Sequence, residues 1–290
     1  MIAVLGSGFG CYGHVAMLAS EGRKVATLAR YRPLFERRLP LAPLIPAITW
    51  LEDEADALSA ETLVLARRPE DNAPVVLAGG GKAPEMLVME KPLAADPSAS
   101  MDVIDTLEGR GVSFATPYLL LYCPWFEPMR SHLAAGGSAS IEWDFRLAAA
   151  SDSWKRNEEA GGGALAFYFI HSLAVAEAAI PGGELSSARV ADPSGGETIE
   201  AISSAGDAQL HQRFTLGNRP HHFRVMLDEQ VLFDAQTPFG AQPSADVADS
   251  RIPFLSAFYD AEVFGAARRP PAFHRRVVTM WESIGVHGQN

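Results

Sequence analysis

Cysteine is almost absent from this chain. Cys11 and Cys123 are the only two in 290 residues and lie far apart, which excludes a disulfide framework and a Cys-based zinc site and fits a reducing cytoplasm. Positive charge is also scarce. With 24 Lys+Arg against 35 Asp+Glu the formal charge is −11, so nucleic acid and anionic membrane are excluded as partners held by bulk electrostatics. No run is long and apolar enough to span a bilayer. The nearest approach, Gly163 to Ile180, is interrupted by His171, Ser172 and Glu177, whereas a span needs about 20 predominantly apolar residues; it reads as a buried helix. The opening MIAVLGSGFG has no basic n-region or long apolar core and reads as a first strand, not a signal peptide. There is no repeat of solenoid length, and no G-x-S-x-G elbow, P-loop or H-E-x-x-H helix. His211, His221 and His222 lie close in sequence, but adjacent strand residues point to opposite faces, so no metal is expected there.

The length favours two domains, and 48% apolar with 20% charged residues is the composition of an ordered globular protein. In the first 118 residues short apolar runs alternate with helical stretches: IAVLG, then VATLA, LVLA, LVME and VSFAT, with a helix from about Pro97 to Arg110. That rhythm predicts βαβ units and a doubly wound parallel sheet. From residue 119 it changes. Ile141, Trp143, Phe145 and Leu147 alternate with Glu142, Asp144 and Arg146, and strand-like segments follow at 186–191, 197–204, 209–216, 221–227 and 231–235. Consecutive strands with short turns predict a large, open, mainly antiparallel sheet, with 163–180 as the helix on one face and further helix in the last 40 residues. The expected domains are therefore 1–118 and 119–290. Trp143 and Phe145 are expected on the open face of that sheet, where a second copy of the chain would cover them and form a homodimer.

Between the first strand and the first helix stands Gly6-Ser7-Gly8-Phe9-Gly10-Cys11-Tyr12-Gly13. In a dinucleotide-binding turn the first glycine makes the bend and the second admits the pyrophosphate to the helix N-terminus, roles that suit Gly6 and Gly8. The third glycine falls at Cys11, a small residue, while Gly8, Gly10 and Gly13 offer a shifted match. The turn is either that fingerprint or a structural glycine bend. The acidic residue that takes a ribose hydroxyl should follow the second strand, yet Ala29, Arg30, Tyr31 and Arg32 stand there. An arginine at this point accommodates a 2′-phosphate, which favours NADP over NAD, unless it is only part of a solvated basic edge. Arg67 and Arg68 follow LVLA at the same sheet edge, to assist with phosphate or to pair with Glu70 and Asp71. The acidic run 52–56 reads as a solvated segment.

Glu90-Lys91-Pro92 at the end of LVME completes a pattern. Together with G-x-G-F-G, the strand end at Ala66, and the stretch from Trp154 through Gly161-Gly162-Gly163 to His171, the chain resembles the Gfo/Idh/MocA family of NAD(P)-dependent oxidoreductases over nearly its whole length. The resemblance implies a Rossmann domain followed by an α/β domain with an open sheet. It implies NADP or NAD held at Gly6, Gly8, Phe9, Gly10, Arg30, Ala66, Arg67 and Glu90, and hydride exchange with a sugar, cyclitol or related small molecule. By motif position Lys91 binds the reacting oxygen, His171 is the acid/base, Glu90 positions Lys91 or meets the cofactor, and Trp154 lines the substrate site.

One departure marks a divergent branch. The family pattern carries an Asp four residues before the His, and here that residue is Phe167. On an α-helix positions i and i+4 share a face, so an apolar ring replaces a carboxylate beside His171. Tyr168 offers a hydroxyl in its stead, a phenol that needs a nearby cation such as Lys91 to exchange protons. The alternative is a protein that keeps the fold to bind a dinucleotide or other ligand without catalysis.

Overall fold

The computed structural model describes residues 1–6, 8–78, 83–146, 153–192, 196–240 and 249–287; Ser7 and Leu147 lie outside the described residues. The chain forms two compact units, one made of Met1–Ala94, Ser98–Leu119 and Pro243–Arg269, the other of Ala95–Pro97, Leu120–Gln242 and Pro270–Asn290. One division between the units falls between Leu119 and Leu120, whereas the sequence rhythm placed a single boundary after residue 118. The return of Pro243–Arg269 to the first unit has no counterpart in that rhythm, because contacts across more than 200 residues leave no periodic trace in the chain.

In the first unit β1 (Ile2–Gly6), β2 (Val25–Leu28), β3 (Ile48–Leu51), β4 (Thr62–Ala66), β5 (Met86–Met89) and β6 (Ser113–Ala115) form one sheet in the order β3-β2-β1-β4-β5-β6. Every pairing is parallel. Its α-helices include α1 (Phe9–Ser20), α2 (Arg32–Glu36), α3 (Glu54–Leu58), α4 (Pro69–Ala78), α5 (Pro97–Gly109) and the later helix Ile252–Phe258. β1 is buried throughout and β4 from Leu63 onward, which is why both read as unbroken apolar runs: a central parallel strand is covered on both faces. β3 was not expected from sequence. It is a four-residue edge strand, Ile-Thr-Trp-Leu, of mixed burial, and it directly follows a proline-rich segment that reads as loop.

The glycine turn is shaped by its fit against the end of β4. A Cβ on Gly6 would lie 2.6 Å from the Ala66 carbonyl oxygen, and one on Gly10 would lie 2.9 Å from both that oxygen and the Ala66 Cβ. Gly10 therefore provides the close helix–strand packing that the fingerprint assigns to its third glycine. Cys11 packs instead against Thr27 of β2, with Sγ 3.7 Å from its hydroxyl, and burial pushes its thiol up to about 12.

In the second unit β7 (Ser138–Arg146), β8 (Glu184–Asp192), β9 (Gly196–Ala205), β10 (Ala208–Gly217), β11 (His222–Leu227) and β12 (Gln230–Ala235) form a sheet in the order β12-β11-β7-β10-β9-β8. All pairs are antiparallel except β7 with β10. α6 (Phe126–Ala134), a π-helix at Ala164–Phe169, α7 (Ile170–Ala179) and the helix Pro271–His287 belong to this unit. The apolar stretch through α7 is largely buried, as a core helix of this unit should be.

Alternation in β7 runs as expected, but its apolar face is the covered one. Trp143 is buried against Phe214 and Phe223, and the Phe145 ring lies 4.6 Å from that of Tyr168. Ser140, Glu142 and Asp144 take the other face. This corrects the expectation that Trp143 and Phe145 lie open for a partner copy: Trp143 is buried and Phe145 half-buried against side chains of the same unit, so the aromatic argument for a homodimer falls. His221 and His222 do diverge. His221 accepts from the Arg146 N–H and lies against Phe145, whereas His222 pairs with Asp234.

Alanine is a better helix former than glycine by about 1 kcal/mol, yet Gly10→Ala is expected to destabilise the protein by about 1–3 kcal/mol because the new methyl has only backbone and the Ala66 Cβ to displace. Urea denaturation measures the sign; a stabilised variant would disprove the close fit.

Candidate active site

The carboxyl ends of the parallel strands gather the predicted residues of the first unit. α1 starts directly after Gly8, whose φ of 57° is one glycine tolerates best and whose absent Cβ would have no neighbour within 4 Å. Among the described residues no side chain caps the helix. Its first N–H groups thus head a 12-residue helix over the place where the strand order reverses between β1 and β4, the ligand-binding point of open α/β sheets. Phe9 follows at once, its ring covered by the Arg251 guanidinium at 3.5 Å.

Ala66 ends β4 in register with Gly6. Beyond it Asn72 staples the turn, accepting from the Arg67 N–H and donating to the Leu65 and Arg67 carbonyls. The Arg67 side chain crosses to Glu54, as Arg30 does at 3.5 Å, while Arg68 pairs with Glu70. Glu54 is thus no part of a merely solvated acidic run.

Glu90 and Lys91 follow β5, and a cis peptide joins Lys91 to Pro92. Glu90 Oε1 lies 3.1 Å from Nε2 of His14 on α1, and His14 Nδ1 lies 2.8 Å from the hydroxyl of Tyr259. An ionised carboxylate only accepts, so Nε2 carries a proton, and in the neutral ring Nδ1 accepts from Tyr259. Burial would raise the Glu90 pKa, but the His14 hydrogen bond and the charges of Lys91 and Arg251 outweigh it and hold the group below its ordinary value. Tyr259, fully buried and facing the Glu90 charge, is pushed well above the usual phenol range and stays a donor. A second cluster lies on the same helix. Tyr12 donates to Asp249 at 2.9 Å, Arg251 grips Asp249 with two hydrogen bonds of 2.8 Å, and Arg38 covers the Tyr12 ring at 4.0 Å.

The second unit brings Trp154, Tyr168 and His171 to one segment. Phe167 and His171 are half-buried while their neighbours from Ala164 to Ile170 are buried, so the two do share a face, although the turn before His171 is π-helical. Such turns occur often at functional sites. Phe167 packs edge-on against Trp154, and the Lys155 ammonium sits 5.6 Å from its ring. The Tyr168 ring is stacked on Phe214 and packed against Phe145, which builds it into the core of the sheet.

By sequence the chain matches no protein-family model and no curated protein. By structure it is similar to a myo-inositol dehydrogenase from Corynebacterium glutamicum (TM-score 0.72, 12% identity, 99% of this chain and 96% of that one). It is likewise similar to biliverdin reductase from Synechocystis, solved with biliverdin and NADP+ (0.68, 9%, 100% and 99%). GenD2 of gentamicin A biosynthesis, solved with NAD, gives 0.70 at 16% identity over 100% and 93%. The chain shares the fold of these oxidoreductases.

Sequence reasoning missed His14, Glu54, Asp249, Arg251 and Tyr259. His14 carried only a position in the helix after the glycine turn as its signal, and Asp249 and Tyr259 meet α1 across more than 230 residues.

Burial opposes ionisation of Asp249, but its hydrogen bonds and charge pairing with Arg251 win and lower its pKa. The stability it contributes is then present above the unfolded carboxylate value and lost as pH falls through the lower folded one. Asp249→Asn is expected to cost about 2 kcal/mol at pH 7, a gap that holds to about pH 5 and narrows below about pH 4. Denaturant titrations across that range test it; a gap that widens in acid would contradict the pairing.

Proposed function

We propose that this protein is an NAD(P)-dependent oxidoreductase acting on a small hydroxylated or carbonyl substrate of the sugar or cyclitol kind. The observation that carries the reading is the N-terminus of α1 at the strand-order reversal, which no side chain among the described residues caps. There the backbone at Gly8 is open, and Gly6 and Gly10 hold the turn tight against Ala66. A pyrophosphate needs such donors and such clearance. These residues fit a nicotinamide dinucleotide, with Gly6, Gly8, Phe9, Gly10, Ala66 and Glu90 around it and Arg30 and Arg67 toward its ribose end. When bound, that group supplies the hydride acceptor or donor.

The remaining chemistry falls to side chains. Oxidation of a carbinol needs a group that polarises its oxygen and one that takes its proton. Lys91 is assigned to the oxygen, where its ammonium donates a hydrogen bond and stabilises negative charge. Its neighbour Glu90 is fixed by His14, which Tyr259 holds in turn, so the turn that carries Lys91 is anchored. His171 is assigned the proton, Trp154 the wall of the substrate site, and Tyr168 a supporting hydroxyl. A non-catalytic binding protein is the second reading, favoured by Phe167, whose ring packs on Trp154 where the family pattern has a carboxylate.

Titration with NADPH and NADH, followed by nicotinamide fluorescence, is expected to show saturable binding; no binding of either would remove the dinucleotide reading. Lys91→Ala is expected to leave binding within about threefold and to lower kcat on a sugar or cyclitol by about a thousandfold. Retained turnover would remove the role of Lys91. Binding without turnover of any sugar or cyclitol, in either direction, would favour the second reading.

A further inference from the structure

Glu54 is the first residue of α3, whose start is fixed by Asp53 accepting from the Ala55 N–H at 2.8 Å. From there its side chain meets Arg30, which follows β2, and Arg67, which follows β4. Those strands flank β1 on either side. One carboxylate therefore bridges two guanidinium groups across the end of the strand that leads into the glycine turn. The arrangement is not saturated: Arg67 Nε is buried and, among the described residues, has no hydrogen-bond partner.

Two guanidinium groups around one anion is the recognition pattern of a phosphate, and the chain's own carboxylate holds that place. A 2′-phosphate carries close to two negative charges. To reach the same arginines it must displace Glu54 or sit beside it against repulsion. An unphosphorylated ribose is different, because its hydroxyls donate to a carboxylate that stays where it is.

We propose that Glu54 sets the nucleotide selectivity of this protein, occupying the 2′-phosphate position between Arg30 and Arg67 and favouring NAD(H) over NADP(H). The inference rests on the dinucleotide reading above and refines what Arg30 alone suggests: the arginine suits NADP, but the carboxylate on it makes that preference conditional. Removing the charge should release both arginines toward the phosphate.

The test is fluorescence titration of the wild type, Glu54→Gln and Glu54→Ala with NADPH and NADH. Both variants are expected to bind NADPH about tenfold more tightly than the wild type does, with NADH affinity equal or weaker. Adding Arg30→Met to Glu54→Gln should abolish the gain. A wild type that binds dinucleotide, with an NADPH/NADH affinity ratio unchanged in both Glu54 variants, overturns this inference and leaves the dinucleotide reading standing. A wild type that binds neither nucleotide overturns both.

Discussion

A carboxylate at the end of a buried parallel strand must either take up a proton or find partners, and the first unit is organised around the partners of Glu90. Desolvation alone would favour the neutral acid. His14 prevents this by presenting an N–H, and it can do so only because Tyr259 satisfies the other ring nitrogen inside a fully buried site. The chain links three parts of the first unit: the end of β5, the middle of α1 and the segment that follows the helix Ile252–Phe258. It gives a physical reason for the return of Pro243–Arg269 to a unit whose other parts end at Leu119. Tyr12 with Asp249 and Arg251 with Phe9 make the same connection nearer the start of α1.

The same edge concentrates cations in a protein that has few. Arg30, Arg38, Arg67, Lys91 and Arg251 lie on segments around the glycine turn, although acids outnumber bases along the whole chain. Arg38 and Arg251 rest on the faces of Tyr12 and Phe9, a use of aromatic rings that holds a cation in place while leaving much of its charge uncancelled. Asp249 and Glu54 then temper that charge locally. An edge built in this way gathers positive charge around the glycine turn within a chain that is acidic as a whole.

The second unit follows a different logic. Its sheet is covered on one face by its own helices, with Trp143, Phe145, Tyr168 and Phe214 joined in one aromatic cluster. The π-helix at Ala164–Phe169 passes from the glycine-rich stretch into α7 and leaves Phe167 and His171 half-buried while Tyr168 turns inward. Phe167 makes this part of the unit apolar, with Trp154 and Lys155 closing on the ring. Gln212, buried on β10, donates to the Ser172 carbonyl and ties α7 to the sheet.

Amino-acid order alone determined what depends on local periodicity. The parallel and antiparallel halves, most strands to within a residue or two, and the glycine turn were legible because burial of alternating or continuous apolar runs is written into neighbouring positions. The short edge strand β3 escaped because the prolines just before it hide its four residues. Other features were decided only in three dimensions. Which face of β7 is covered depends on where α6 and the π-helix lie, so Trp143 pointed inward against expectation. The partners of Glu90, the seat of Arg251 and the bridge of Glu54 between two arginines join residues separated by 13 to 245 positions. Ion pairs and hydrogen bonds act over a few ångströms of space whatever the length of chain between them, and only the folded chain brings those groups within range.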